Sequence, residues 1–505
     1  MDARVKSATL SGIDGRVLEV TAVAEPGPPG FEQHGMHGWG LSQRAERAWS
    51  AVTVSGLPWP RSKITVTVAP DWLPKHDTAV DLAMAVAVLA ADCTVPAHAA
   101  AGIMYYAGLG TDGRLTPVPG VLPAAVEAAK AGCRALVVAA ENAAEARLIP
   151  GVPVIGASRL GEVTRWLCGG PAPEETVPPP AERSAAGDMS DIRGNRTACL
   201  AAEVSAAGGH HLSLSGPPGS GMTLLASRMR GLLPLLDESA ALEVTAVHSA
   251  AGALDPAAPL VTVPPFCAPH HGAGAADLAG GWESGMLRPG AASLAHRGML
   301  FLDQAPEFDR ETLDVLRSPA ETGTITPEKS ASHGHRGPLP ARFILITASA
   351  PCQCLALRPD PAPCTCPPSA RGRYAARLSG PLRDRVSLRA VMTPPESGQA
   401  GEPGEATAVI AARVAAARER AALRLAGTPW RVNAEIPRDE LLARLMPGGG
   451  GWEPIERAAS LGMVSDFAAA DALRVAWTIA DLNGRARPTR GDCAAALGLR
   501  MGEMR

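Results

Sequence analysis

Gly216-Pro-Pro-Gly-Ser-Gly-Met-Thr223 lies between a short apolar run, Leu212-Ser-Leu-Ser215, and a helical run, Leu224-Leu-Ala-Ser-Arg-Met-Arg230. Strand, glycine loop and helix in that order form the setting in which backbone N–H groups cradle a phosphate. Gly216, Gly219 and Gly221 let the chain turn those groups toward an anion. Pro217, Pro218 and Ser220 complete the loop, and the helix N-terminus adds its dipole. Thr223 stands where a hydroxyl would ligate Mg²⁺. A loop of this type wants Lys before that threonine, yet Met222 is there. A thioether cannot neutralise β- and γ-phosphates. The competing reading is a glycine-rich turn that holds no ligand.

Gly298-Met-Leu-Phe-Leu-Asp-Gln304 reads as a buried strand ending in a carboxylate, the shape of a Walker B segment. Asp303 would hold Mg²⁺ through water. The next residue is normally Glu, which orients and activates the attacking water. Gln304 has the same shape without a basic oxygen. Such a change leaves binding possible while removing the base, and together with Met222 it argues against turnover. The plain alternative is a core strand with an acidic end.

Two thiol pairs, Cys352-Gln-Cys354 and Cys364-Thr-Cys366, share one loop. Cys-x-Cys is tighter than the usual zinc spacing, so the group reads either as a metal-stabilised loop holding zinc or as reduced thiols. His270, His271 and His296 could suggest acid–base or metal work. Lys329, His333, His335 and Arg336 fall between two strand-like runs, where a basic loop suits DNA phosphate contact. An exposed hairpin with ordinary charges fits those four residues equally well.

These groups need a framework, and 505 residues are too many for one ordinary core. A composition of 46% hydrophobic and 19% charged residues excludes wholesale disorder. The net charge of −3 excludes a global basic field, so any nucleic-acid surface must be local. No apolar stretch reaches the ~18 residues of a membrane helix. Asp81 to Asp92 is too short and reads as a buried helix, and no signal peptide opens the chain. A cytoplasmic protein without membrane contact is the expectation. Lys63–Ala69 alternates at period two and reads as a half-buried strand. Pro123 to Ala131 reads as an Ala-rich helix, and Ala135–Ala139 as the strand after it. The mixed α/β pattern ends at Cys168. Residues 169–188 form a Pro-rich linker, 189–392 a second α/β domain, and 393–505 a small helical domain.

Around the two nucleotide motifs the chain resembles the ComM/YifB family of Mg-chelatase-like AAA+ proteins. The resemblance rests on Ala206-Ala-Gly-Gly-His-His-Leu212, Gly216-Pro-Pro-Gly219, Ala226-Ser-Arg-Met-Arg-Gly-Leu-Leu-Pro234 and Val247-His-Ser-Ala-Ala-Gly252. Ala268-Pro-His-His271, Arg288-Pro-Gly290, Ser293-Leu-Ala-His296, Pro340-Ala-Arg-Phe343 and Leu378 to Arg385 continue it in family order. Leu73-Pro-Lys75, Pro119-Gly-Val-Leu-Pro123 and Ala476 to Leu482 extend it to both ends.

The resemblance implies an α/β architecture: a Lon-protease-like (ChlI-type) domain over 1–168, an AAA+ P-loop core and a helical C-terminal lid. It implies ATP and Mg²⁺ as cofactors and hexameric rings that drive branch migration on DNA. The 324–338 hairpin would face the ring's pore, with Lys329 and Arg336 as DNA contacts. Arg385 matches the arginine finger that reaches a neighbour's γ-phosphate. The family's sensor Asn falls at Ala350 and its lid Arg at Phe467; a further Arg is replaced by Trp477. Similar cysteine pairs occur in the family. A Lon-type peptidase needs Ser and Lys, but Lys75 to Leu82 has no Ser and Pro119 to Ala124 no Lys. The expectation is therefore an ATP-binding, DNA-associated AAA+ protein impaired in hydrolysis, as a homo-hexamer or a mixed ring with an active paralogue. A working translocase is the alternative; chelatase chemistry on a tetrapyrrole rests on the family name alone.

Overall fold

A computed structural model describes residues 2–35, 41–70, 78–174, 187–283, 286–327, 338–356, 364–378, 380–394, 403–448 and 450–502. Lys329, His333, His335 and Arg336 lie outside the described residues, as do Lys75 and most of the Pro-rich linker.

The N-terminal region is built on β1 (Asp2–Ser11), β2 (Asp14–Glu25), β3 (Gly30–His34), β4 (Lys63–Ala69), β5 (Ile103–Tyr106), a small ladder of β6 (Gly108–Leu109) with β7 (Leu115–Thr116), then β8 (Ala135–Ala139) and β9 (Val154–Ala157). Seven of these strands form one sheet in the order β3-β4-β2-β1-β5-β8-β9. β4 has the expected bounds and buries Ile64, Val66 and Val68 on one face. β5 is buried on both faces, with Tyr105 in one apolar layer and Met104 and Tyr106 in the other. The sheet is thus covered on each side, which suits its parallel half. Every residue of the helix Asp81–Ala91 is buried. The helix expected from Pro123 begins at Val121, after Gly120 at φ +79°. Pro123 then occupies the first turn, where its missing N–H has no intrahelical partner to lose.

The central region holds β10 (Leu212–Ser215), β11 (Phe266–Cys267), the hairpin β12 (Gly280–Glu283) and β13 (Met286–Pro289), β14 (Met299–Leu302), the pair β15 (Thr324–Ile325) and β16 (Leu339–Pro340), β17 (Ile344–Ser349) and β18 (Leu388–Val391). Five strands form an all-parallel sheet in the order β11-β14-β17-β10-β18. The strand before the glycine loop therefore lies beside the one that precedes Ala350, and that one beside the strand that precedes Asp303. Open parallel sheets bind ligands beyond the carboxyl ends of their strands, and all three motifs are there.

The helical region follows, with Thr407–Arg424, Asp466–Leu482 and Arg490–Met501 as its long helices. It shares a core with the helix Arg196–Gly208 and β10. Arg413 pairs with Glu203 across this boundary at 2.6 Å, and buried His210 bonds Thr478 at 2.8 Å. At the other boundary, Ser249 Oγ donates to Glu145 Oε1, which also accepts the Leu122 N–H at 2.8 Å. Burial raises the Glu145 carboxyl above its usual range. No helix among the described residues is long and apolar enough to cross a membrane.

Candidate nucleotide site

β10 ends at Ser215, and the Gly216 N–H donates to Ser349 O at 3.2 Å, tying the loop to the end of β17. Gly219 and Gly221 take φ of +81° and +89°, left-handed values that a side chain would disfavour. They allow the loop to wrap before the helix Met222–Arg228 begins, with Gly221 as its N-cap. The Ser220 side chain is 3% exposed, and its Oγ has no hydrogen-bond partner among the described residues. Burying a hydroxyl unpaired is costly; a phosphate oxygen would satisfy it. Thr223 Oγ1 donates to Asp303 Oδ2 at 3.0 Å. Threonine and carboxylate therefore meet where a Mg²⁺ ion would take a ligand from one and hold water against the other. Met222 is half-buried and packs against the core. The backbone cradle and the metal side fit a magnesium–nucleotide; position 222 supplies no cation for the phosphates.

Gln304 is exposed and left-handed at φ +52°, a conformation uncommon outside glycine. Its N–H donates to Asp303 Oδ1 at 2.9 Å, so the backbone fixes the carboxylate that Thr223 contacts. Ala350 follows β17 directly and offers no amide. Sequence spacing gave no sign of Asn195, whose amide bonds both Thr393 O (3.0 Å) and Thr393 N (2.9 Å), bracing the segment after β18.

Arg385 and Phe467 are elsewhere. Arg385 ends the helix Gly380–Arg385, three residues before β18, at the amino ends of the strands. Its guanidinium lies 4.5 Å over the Phe467 ring and pairs with Glu321 at 2.7 Å. Both line a cleft of about 870 Å³ with His211, Arg342 and Arg474, at the opposite end of the sheet from the glycine loop. Neither can reach the chain's own phosphate loop. Trp477 is buried, donates to Leu445 O and lies under the Arg424 guanidinium at 4.4 Å.

The four cysteines converge, with all four sulfurs within 4.8 Å of one another. The Cys354 N–H bonded to the Cys352 sulfur lowers that thiol to about 7, while the Cys364 thiol pushes Cys354 up to about 12. His296 is buried, accepts the Arg342 N–H and faces Glu243, which suits a core role. His270 and His271 pack ring to ring at 4.0 Å. Asp81, within the segment where a Lon-type nucleophile would fall, is ion-paired to Arg47 at 2.8 Å.

Three family models match in order: subunit ChlI of Mg-chelatase over 20–142, magnesium chelatase subunit ChlI over 188–400, and its C-terminal region over 404–500. An uncharacterized protein of Mycobacterium tuberculosis is 42% identical over 98% of both chains. YifB of Escherichia coli is 37% identical over 82% of this chain and 81% of its own. The competence protein ComM of Haemophilus influenzae is 33% identical over 99% of this chain and 97% of its own. The chain belongs to the ComM/YifB family of Mg-chelatase-like proteins. Its fold is that family's: a Lon-like α/β domain, an AAA+ core with a parallel sheet, and a helical lid.

Proposed function

We propose that this ComM/YifB-family chain binds a magnesium–nucleoside triphosphate at residues 216–223 but hydrolyses it poorly or not at all, and acts as a ring subunit on DNA. The observation that carries this is the Thr223–Asp303 hydrogen bond beside a half-buried Met222 packed against the core. When bound, the nucleotide with Mg²⁺ supplies the charge and binding energy that order neighbouring subunits. The loop N–H groups and Ser220 would hold phosphate oxygens, with Thr223 and Asp303 on the metal. Gln304 can orient water but cannot accept its proton, and Ala350 leaves the water without a sensor amide. In this reading the functional units are 1–168, 189–392 and 393–505, zinc is a structural cofactor at the four cysteines, and a reducing cytoplasm keeps the thiols free. Calorimetry with ATP, with and without Mg²⁺, tests binding; phosphate release tests turnover. Mg²⁺-dependent binding without release is expected, and no binding at millimolar nucleotide would overturn the reading.

The position of Arg385, remote from its own loop and lining an open cleft, suits an arginine offered to a neighbouring subunit, whether in a homo-hexamer or in a mixed ring with an active paralogue. In the mixed ring such a subunit would lend an arginine to an active paralogue's site while its own stays silent. Stimulation of the paralogue's ATPase by the wild type and not by Arg385→Ala is the expected result. The 324–338 basic cluster supports DNA as the ring's partner.

A further inference from the structure

Cys352 and Cys354 follow the end of β17, and Cys364 and Cys366 precede the helix Pro368–Ala375. Cys352 is 2% exposed and the other three are half-buried. A single tetrahedral ion at about 2.3 Å from each sulfur would hold its ligands about 3.8 Å apart. The observed group, with Cys354 Sγ and Cys364 Sγ 3.4 Å apart and all four within 4.8 Å, has that size. Four soft thiolates without an imidazole or carboxylate select zinc over Mg²⁺ or Ca²⁺.

We propose that Cys352, Cys354, Cys364 and Cys366 form a tetrathiolate zinc site that clamps the turn after Asp303 to the end of the sensor strand. The chain geometry makes the link. Cys352 lies two residues beyond Ala350 on the strand-end side. On the other side the helix Pro368–Ala375 leads to Arg377, whose Nη1 pairs with Glu307 at 3.3 Å. Tyr374, 4% exposed, sits under the Arg377 guanidinium at 5.7 Å and faces the same carboxylate. Glu307 closes the 3-10 turn Ala305–Glu307, which begins directly after Gln304. An ion that fixes Cys366 against Cys352 therefore fixes that helix, and through Glu307 the turn carrying Gln304. Ion binding then adds folding free energy to this segment, because it links four sulfurs that otherwise meet only through weak thiol hydrogen bonds. The proposal rests on the nucleotide-site reading only for its consequence: the zinc-loaded state holds Asp303 where Thr223 meets it.

The test uses the full chain purified without chelator. Elemental analysis should find about one zinc per chain, and Cys364→Ser with Cys366→Ser should abolish it. Reconstitution with Co²⁺ should give thiolate-to-cobalt charge-transfer bands and the visible bands of a tetrahedral ion. Absence of zinc together with no such cobalt spectrum would overturn the site, as would a mass showing disulfides among these cysteines in freshly purified protein. The clamp is read by hydrogen exchange, which needs no nucleotide. Chelation should speed exchange over residues 303–307 by at least about ten-fold while leaving β1 and β2 unchanged. Zinc present with exchange at 303–307 indifferent to its removal would sink the clamp. Zinc-dependent exchange in a chain that binds no ATP supports the clamp and counts against the nucleotide reading alone.

Discussion

The Thr223 hydroxyl donates to Asp303 Oδ2 at 3.0 Å, while Met222, one residue earlier, packs into the core. The two neighbours thus divide the site. One makes the polar contact that a Mg²⁺ site would use, and the other is a half-buried thioether packed against the core. A loop that had lost all use would have no reason to leave Ser220 buried with an unsatisfied hydroxyl beside that contact.

Restoring the missing groups should therefore separate binding from chemistry. Met222→Lys with Gln304→Glu should tighten Mg²⁺–ATP binding by about 1.5–3 kcal/mol, the range of a hydrogen bond to a charged group. Turnover should lag, because Ala350 still lacks an amide to place the water. Calorimetry and phosphate release on the double variant check this ordering. Turnover already present in the unaltered protein would refute it.

A second expectation concerns the seat of Arg385. Buried Asp471 pairs with Arg474 at 2.5 Å and with Arg500 at 3.2 Å. Arg500 in turn donates to Val386 O at 2.6 Å and Asp384 O at 3.0 Å, the carbonyls on either side of Arg385. Asp471→Ala leaves two buried guanidinium groups without their shared carboxylate. The cost should be about 3–5 kcal/mol, measured by urea unfolding. Fast exchange at 383–388 should accompany it. A loss under about 1 kcal/mol would mean that the network is not a unit.

Acid should weaken the joint between core and lid through His210. This imidazole is 1% exposed, and burial first, then the Arg474 charge, lowers it to about 3. The unfolded chain binds that proton near pH 6.5 and the native one does not, so stability is lost as pH falls from about 6.5 toward 3. The slope is at most about 1.4 kcal/mol per pH unit for one histidine. His211, also lowered by burial, adds in the same direction. His210→Gln should be less stable near neutrality yet show a shallower fall between about pH 7.5 and pH 5.5. Equal slopes in urea unfolding would contradict this.

What the sequence made legible was local. β4 showed itself by alternation, the Asp81–Ala91 helix by unbroken apolar composition, and the glycine loop by its setting between strand and helix. Met222, Gln304 and Ala350 were singled out there too, because each position is defined by its offset from a motif. The rest depends on contacts between distant segments. Arg385 and Phe467 are 82 positions apart (467 − 385) and meet only because the lid packs at the amino end of the sheet. Ser249 and Glu145 join two regions through one short bond that no periodicity announces. The helix start at Val121 was displaced because Pro123 is tolerated inside the first turn. The packing of Met222 against the core likewise belongs to the tertiary structure and not to the motif.

On the proposed function, DNA contact should not depend on ATPase activity. Phosphate binding by a basic loop needs charge, whereas a motor needs nucleotide-driven movement of that loop. With a net charge of −3 the chain has no general attraction for a polyanion, so binding must come from a local group such as Lys329 and Arg336. Affinity should be independent of ATP and should fall steeply with salt, since released counterions set the slope. Lys329→Ala with Arg336→Ala should reduce that slope by up to about two, one for each lost phosphate contact. Fluorescence anisotropy with branched, duplex and single-stranded DNA over a salt series reads both quantities. A wild-type slope left unchanged by the two substitutions would move the contact elsewhere, with the arginine-lined cleft around Arg342 and Arg474 as the next surface to alter. No binding to any of the three at low salt would remove DNA from the proposed function and leave the paralogue's ring as the partner to pursue.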